Sequence, residues 1–488
     1  MIDRVLFVSP EVPPWVKSGG LADVTSALPQ ALRASGIDIR ILAPGYAPVL
    51  DALPGARSIA DLPAHAGLPA CRLLEADHPA SGPIFLIDCP ELFARPGTAY
   101  QDASFTDWPD NNLRFGLLGR TAALIASAQN PLSWQPQVVH CNDWPTGLVP
   151  AYQRLAQSHA PCVMAIHNLS HQGVFDGSTR HALGLPESMY GINGIEYYGK
   201  LSFLKAGVFY AERLVTVSPT YAREIQTDAG GQGLGGLLRA RGSDLVGILN
   251  GIDTAAWNPA TDPLIAHTYD VASIARKSVN KLALQRRLGL ELGEQQMLLG
   301  VVSRLAHQKG IDWLLDIVPA LLELPVGIAV LGSGEKKLET ELITLASRHP
   351  GRIGVVIGFD EALAHLIEAG ADAFLMPSRY EPCGLNQMYS LRYGTPPVVR
   401  ATGGLADTVV DCTEANLRAG TANGFSFERP SAQALLASIS RAVEVWRTPN
   451  VWRALQRRGM AQDHSWTASA RRYLSVYDSA VEASHSAQ

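Results

Sequence analysis

Two short apolar runs, far apart in this chain, each end in a glycine turn that opens a helix. Val5 to Val8 leads into Lys17-Ser18-Gly19-Gly20-Leu21-Ala22-Asp23, and Pro397 to Val399 leads into Thr402-Gly403-Gly404-Leu405-Ala406-Asp407. A strand, a glycine turn and a helix start restrict a chain severely. The strand must be buried on both faces, and the helix must pack back on it. Such a turn aims free backbone N–H groups and the positive end of a helix dipole at an anion. Glycine lets a ligand approach the backbone closely. A tight turn with no ligand is the plainer reading of either loop alone. Two of them, one per half, point to a nucleotide-sugar held between two domains.

The rest of the chain repeats the theme. Val5–Ser9, Ile39–Ala43, Ile84–Asp88, Val138–His140, Val163–His167 and Leu214–Ser218 read as buried strands. Helical stretches are expected at Ala22–Ser35, Leu113–Gln129, Ile195–Tyr210 and Pro219–Thr227. In the second half, strands are expected at Leu298–Ser303, Val326–Gly332, Ile353–Ile357, Ala373–Pro377 and Pro397–Val399. Helices are expected at Ile311–Leu322, Lys336–Arg348, Asp360–Ala369, Leu385–Tyr393, Val443–Trp452 and Trp466–Val481. This alternation predicts two α/β halves built on parallel, doubly wound sheets. The break falls at Asn250-Gly251-Ile252-Asp253, before the proline-dotted Trp257–Pro263. The expected domains are residues 1–248 and 249–460. Residues 461–488 are expected to supply a helix crossing back to the first domain.

With 488 residues, 47% hydrophobic and 17% charged, the chain is long enough for two cores and shows no disorder signature. Its net charge of −5 and its lack of a basic run argue against nucleic acid as a partner. No apolar run reaches bilayer length, and the N-terminus lacks a signal-peptide core, so the expected compartment is the cytoplasm, with no membrane partner. The six cysteines are scattered without a Cys-x-x-Cys pair and are expected to be reduced.

Chemistry concentrates at strand ends. Arg304 and Lys309, in Ser303-Arg304-Leu305-Ala306-His307-Gln308-Lys309-Gly310, are two cations on one loop, able to converge on a diphosphate. A solvated basic loop is the alternative. Ser378-Arg379-Tyr380-Glu381-Pro382-Cys383-Gly384-Leu385 places a carboxylate above a helix start. There Glu381 can accept from sugar hydroxyls, and the N–H groups of Cys383, Gly384 and Leu385 can face a ligand. Its other reading is a first-turn helix charge. In the first half, His140-Cys141-Asn142-Asp143-Trp144 and His167-Asn168-Leu169-Ser170-His171-Gln172-Gly173 end two strands. Their spacing fits no compact zinc signature, so no metal is expected. The residues leave open whether His167 bonds a sugar or is a satisfied core histidine. Gly231-Gln232-Gly233-Leu234-Gly235-Gly236 matches a dinucleotide pattern literally, but it follows a polar loop rather than a strand. The chain has no Asp-x-Asp triplet to hold a metal-bound diphosphate.

Taken together, these blocks resemble the bacterial glycogen synthases and plant starch synthases that use ADP-glucose. The blocks Gly194–Ile225, Asn250–Asp253 and Ser378–Val409 extend the resemblance over nearly the whole chain. It implies the GT-B fold, two Rossmann-like doubly wound domains facing across a deep cleft. It implies transfer of glucose from ADP-glucose to glycogen or another α-1,4-glucan, without cofactor. By the same resemblance Lys17, within the loop of Gly19, Gly20 and Asp23, contacts the donor phosphates or the reacting sugar. Arg304 and Lys309 clamp the diphosphate, and Glu381 is the essential acid. Cys383, Gly384 and Leu385 form a glucose-binding turn, beside the Thr402, Gly403 and Gly404 loop. His167, Asp143 and Asn250 match sugar-contacting positions, and Tyr100 matches a cleft tyrosine. Phe359 stands where the family often has Tyr and is placed to stack on adenine. Tyr389 occupies the position where many related retaining transferases carry a second Glu, which starch and glycogen synthases also lack. The rival expectations are a retaining enzyme of this architecture that uses UDP-glucose, and a homologue that binds without turnover.

Overall fold

The computed structural model describes residues 2–486. They divide into two units. The first comprises the chain up to Val217, Ala222–Leu249 and the segment from Trp466 onward. The second comprises Asn250–Ser465 with Ser218–Tyr221.

The first unit contains twelve described strands: β1 Arg4–Val8, β2 Asp38–Pro44, β3 Arg57–Leu62, β4 Cys71–His78, β5 Gly82–Asp88, β6 Val138–Asn142, β7 Cys162–Ile166, β8 Val174–Asp176, β9 Glu196–Tyr197, β10 Lys200–Ser202, β11 Arg213–Thr216 and β12 Leu245–Gly247. Nine of them form one sheet in the order β12-β11-β7-β6-β1-β2-β5-β4-β3. From β12 to β5 the strands are parallel, and β4 and β3 add an antiparallel edge. That edge went unpredicted because β3 and β4 mix polar and apolar residues instead of forming a continuous apolar run. The order reverses between β1 and β6. Helix Gly20–Ala34 follows β1 and buries Leu21, Val24, Leu28 and Leu32, a helical stripe turned to the core.

One expected helix is half wrong. Ile195–Tyr210 is not continuous: β9 and β10 pair as a hairpin through Tyr198 and Gly199, and the helix begins only at Phe203. Tyr198 and Gly199 take φ of +49° and +79°, which no right-handed helix accommodates. Ser202 then caps the new helix by accepting from the Lys205 N–H. β8, β10 and β9 make a small separate sheet.

The segment Trp466–Ser486 is one helix of the first unit. It packs on helix Gly20–Ala34 and on β6 and β7. Tyr473, Val476, Tyr477 and Ala480 are buried, and the Tyr477 hydroxyl lies 2.8 Å from His140 Nδ1 in β6.

The second unit is built on β13 Met297–Val302, β14 Val326–Gly332, β15 Ile353–Ile357, β16 Ala373–Met376, β17 Pro397–Arg400 and β18 Phe425–Phe427. All pairings are parallel, in the order β15-β14-β13-β16-β17-β18. Counted from its own first strand this is 3-2-1-4-5-6, the dinucleotide-fold order, with its reversal between β13 and β16. Leu299, Val301, Ile328 and Val330 form the middle of its core. The expected helix Val443–Trp452 is two helices, Ala432–Trp446 and Pro449–Met460. Pro449 lacks the N–H that would continue the first and suits the opening of the second.

Candidate active site

In an open parallel sheet, the crevice lies where strand order reverses, at the C-terminal strand ends. Each unit places its candidate residues there.

In the second unit, β13 delivers Arg304 and Lys309, and β16 delivers Glu381. The Lys309 ammonium lies 2.5 Å from Glu381 Oε2, and both side chains are largely buried. Ser378 donates to the same oxygen at 2.9 Å. Both of these contacts fall on one oxygen of the carboxylate. Arg304 stays exposed, held to Gln308 Oε1 at 3.0 Å, while Gln308 donates to the Tyr380 carbonyl at 3.2 Å. The two loops are thus stitched together. Arg379 adds to this by pairing with Asp312 at 2.6 Å and stacking 4.1 Å over Trp313. Gly310, at φ +69°, is required because a Cβ there would meet the Pro377 carbonyl oxygen at 2.1 Å.

The Gly403-Gly404 loop corrects an expectation. Its glycines do not hold open a bare anion cradle. The Gly404 N–H already donates to the carbonyls of Glu381 and Pro382, at 3.2 and 3.1 Å. A Cβ on Gly403 would meet the Glu381 carbonyl oxygen at 1.9 Å, and one on Gly404 the Cys383 carbonyl oxygen at 2.0 Å. The glycines let this loop, with buried Thr402 at its head, press against the turn that carries Glu381. On that turn, Gly384 adopts φ +71° and leads through Leu385 into helix Asn386–Arg392. Cys383 is buried, its sulfur takes a hydrogen bond from the Asn250 N–H, and burial pushes its thiol up to about 12. It is a packed, protonated group. The Asn250 Oδ1 is buried without a partner among the described residues. Phe359, after β15 and Gly358, is 91% exposed. Tyr389 stacks on Trp257, with ring centroids 3.9 Å apart, so this position is filled by an aromatic stack.

In the first unit, β1 delivers the Lys17 loop. Lys17 is exposed and lies 2.8 Å from Asp23 Oδ1. A Cβ on Gly19 or Gly20 would find nothing within 4 Å, and neither needs a positive φ. Nothing in the fold demands glycine here, unlike at Gly403 and Gly404, so close approach by a ligand is the remaining physical reason.

A residue that sequence reading missed organises this half. Glu11 is 2% exposed and accepts from the Ser18 N–H at 2.9 Å and the Tyr100 hydroxyl at 2.9 Å. The Gly19 N–H adds a further bond. Burial raises its carboxyl against these bonds. The signal for it was a lone acid in the otherwise apolar, proline-rich exit from β1. Tyr100 therefore holds the Lys17 loop through Glu11, and its ring packs near Phe115 and Trp144.

β6 and β7 deliver Asp143 and His167. Asp143 has φ +56° and ψ −178°, a region that L-residues avoid. Its Oδ1 accepts from the His167 N–H at 2.8 Å and the Asn168 N–H at 3.3 Å. Desolvation outweighs these bonds and pushes its carboxyl up to about 7. His167 Nε2 lies 2.9 Å from Asn142 Oδ1, an acceptor, which assigns the proton to Nε2. Burial lowers His167 to about 4, so it is a neutral hydrogen-bonding ring. His140 is the core histidine of the pair of strand ends, buried against Phe7 and bonded to Tyr477. The glycine string 231–236 follows a helix, not a strand. A Cβ on Gly231 or Gly233 would meet the Gly235 backbone or the Tyr197 hydroxyl at 2.4 Å, so no dinucleotide fingerprint is present. Among the described residues no group of three or more His, Cys, Asp or Glu is placed to hold a metal ion, and no helix is long and apolar enough to cross a membrane.

Residues 4–240 match the family model described as the starch synthase catalytic domain, and residues 287–458 match that of glycosyl transferases group 1. A glycogen synthase of Dechloromonas aromatica (strain RCB) is 53% identical over 98% of this chain and 98% of its own. One of Aromatoleum aromaticum is 52% identical over 97% and 96%. The catalytic domain of starch synthase IV from Arabidopsis thaliana, solved bound to ADP and acarbose, superposes with a TM-score of 0.86 at 30% identity. That match covers 99% of this chain and all of the other.

Proposed function

The chain belongs to the glycogen synthase and starch synthase family of GT-B glycosyltransferases, and from that premise we propose that its donor is ADP-glucose and its acceptor the non-reducing end of an α-1,4-glucan, with the α-configuration retained. The observation that carries this reading is the Lys309–Glu381 pair beside Arg304, at the strand-order reversal of a dinucleotide-type sheet. A diphosphate leaving group needs fixed cations, and a bound hexose needs a carboxylate acceptor. This corner of the second unit offers both.

Each residue then has a role. Arg304 and Lys309 take the diphosphate oxygens and stabilise the negative charge that grows as the glycosidic C–O bond breaks. Lys17, on the glycine loop of the first unit, is assigned by the family resemblance to the donor phosphates or the reacting sugar. Glu381, oriented by Lys309 and Ser378, accepts from glucose hydroxyls through Oε1. The Asn250 amide oxygen and the turn Cys383-Gly384-Leu385 line the sugar, and Phe359 stacks on the base. In the first unit Asp143 and His167 bond sugar hydroxyls. Retaining hydrolases commonly use a carboxylate nucleophile. Glu381 has its paired oxygen turned to Lys309 and Ser378, which suits an electrostatic and binding role better. The reading is therefore a front-side displacement through an oxocarbenium-like state, in which the acceptor 4-hydroxyl attacks from the face that ADP leaves. A diphosphate oxygen takes its proton. No metal or cofactor is assigned a part, and the cytoplasm is the assigned compartment.

The test is ADP release and glucan growth by the purified protein with glycogen, comparing ADP-glucose with UDP-glucose. Fast, glycogen-dependent turnover of ADP-glucose is expected. Turnover with UDP-glucose alone would overturn the donor assignment. No turnover with either would favour a homologue that binds without reacting.

A further inference from the structure

The hairpin β9–β10 carries an anomaly. Its two-residue turn, Tyr198-Gly199, has positive φ at both positions, the geometry for which Asn-Gly is the usual choice. An aromatic residue with φ +49° is strained, and Tyr198 gains no burial in return, because it is 78% exposed. Its ring stands edge to face with Tyr197, centroids 4.8 Å apart. Tyr197 is fixed by its hydroxyl, which donates to the Gln232 carbonyl at 2.7 Å. Gln172 donates to the same carbonyl at 2.8 Å, while its Oε1 is buried without a partner among the described residues. Gly233, at φ +82°, leaves room for both rings, since a Cβ there would lie 2.4 Å from the Tyr197 hydroxyl and 3.2 Å from the Tyr198 ring. Gln172 belongs to the segment that leaves β7 through His167, so this aromatic corner is continuous with the strand end that carries His167.

We propose that Tyr198, backed by Tyr197 and the Gln172–Gln232 amides, is a platform for the acceptor glucan, engaging glucosyl units removed from the end that reacts. An aromatic face suits the apolar side of a pyranose, and neutral amides suit its hydroxyls. The Glu196 carboxylate, on the same hairpin, is already engaged by the Gly199 N–H at 2.6 Å. Neutral aromatic and amide chemistry of this kind fits an uncharged polysaccharide. The inference rests on the glucan-elongating reading above.

Tyr198→Asn tests it without endangering the fold, because Asn-Gly is the preferred pair for this turn. The variant is expected to melt at or above the wild-type temperature. Its KM for glycogen is expected to rise about fivefold or more relative to its KM for maltotriose, and its retardation by glycogen in affinity electrophoresis to fall. Tyr198→Phe should keep the glycogen KM within about twofold of wild type. An unchanged KM ratio together with equal retardation of wild type and Tyr198→Asn would overturn the platform. If the wild type fails to extend glycogen, the elongation reading is what fails, and the retardation comparison still decides the platform.

Discussion

Lys309 and Glu381 sit 72 positions apart in sequence and 2.5 Å apart in space, each at the end of a strand flanking the reversal of its sheet. Both are mostly shielded from water, so each is the other's main compensation for desolvation. Removing one partner of a buried pair costs about 3 kcal/mol or more, because the other charge is stranded. Lys309→Ala is therefore expected to lower the melting temperature and to cut turnover about a hundredfold or more. The double variant Lys309→Met/Glu381→Gln should recover much of the stability and none of the activity. Thermal denaturation and ADP-release assays on the three proteins check this; full turnover in folded Lys309→Ala would sink the assigned role.

Arg304 is the contrasting cation. It is exposed and, among the described residues, its side chain is held by Gln308, a neutral partner, so its loss strands no charge. Arg304→Ala should melt within a degree or two of wild type, yet lose about a hundredfold in kcat. A loss seen only as a higher glucan KM would remove Arg304 from the diphosphate.

The two glycine loops should respond oppositely to the same substitution. Gly20→Ala meets open space and helical φ, and should leave stability unchanged or raise it by about 0.5 kcal/mol. Its activity should nevertheless fall, because a methyl would stand where the ligand approaches. Gly403→Ala would drive a Cβ to 1.9 Å from the Glu381 carbonyl oxygen, at φ +45°, and should destabilise by about 3 kcal/mol or fail to fold. Denaturant titrations beside activity separate the two; equal destabilisation by both would refute the distinction.

Asp143 links strain to pH. Its carboxyl titrates near 7 when folded against 3.8 ordinarily, so between those values the native state holds more of the proton than the unfolded chain does. Stability from this group is therefore present at low pH and declines as pH rises from about 4 to 7. Asp143→Asn abolishes that decline and places a residue that tolerates positive φ. The variant is expected to exceed wild type in melting temperature at pH 8, with a smaller gap at pH 5, while losing most activity. A gap that widens toward low pH would contradict the sign.

What the sequence disclosed follows from what each residue depends on. Buried parallel strands such as β14 and β15 are continuous apolar runs, readable one residue at a time. The order of the strands is not, because it depends on pairings between distant segments, so the sequence could assign the cations and carboxylates to strand ends but not to the reversal points of the two sheets. Glu11 stayed hidden because its role depends on Tyr100, a partner 89 positions away. The hairpin at Tyr198 was lost inside a helical pattern because one residue at positive φ decides it. The loops at Gly19 and Gly403 share the letters Gly-Gly-Leu-Ala-Asp and differ in backbone conformation and in what lies beside them, which no local reading supplies.

The helix Trp466–Ser486 gives the chain an awkward chronology. Its tyrosines complete the packing around β6, the strand that carries Asp143, but they emerge from the ribosome more than three hundred residues after it. During synthesis the first unit waits, with His140 and the face of helix Gly20–Ala34 uncovered, while all of the second is made. A chaperone's opportunity, and a premature stop codon's damage, both fall on the nascent first unit.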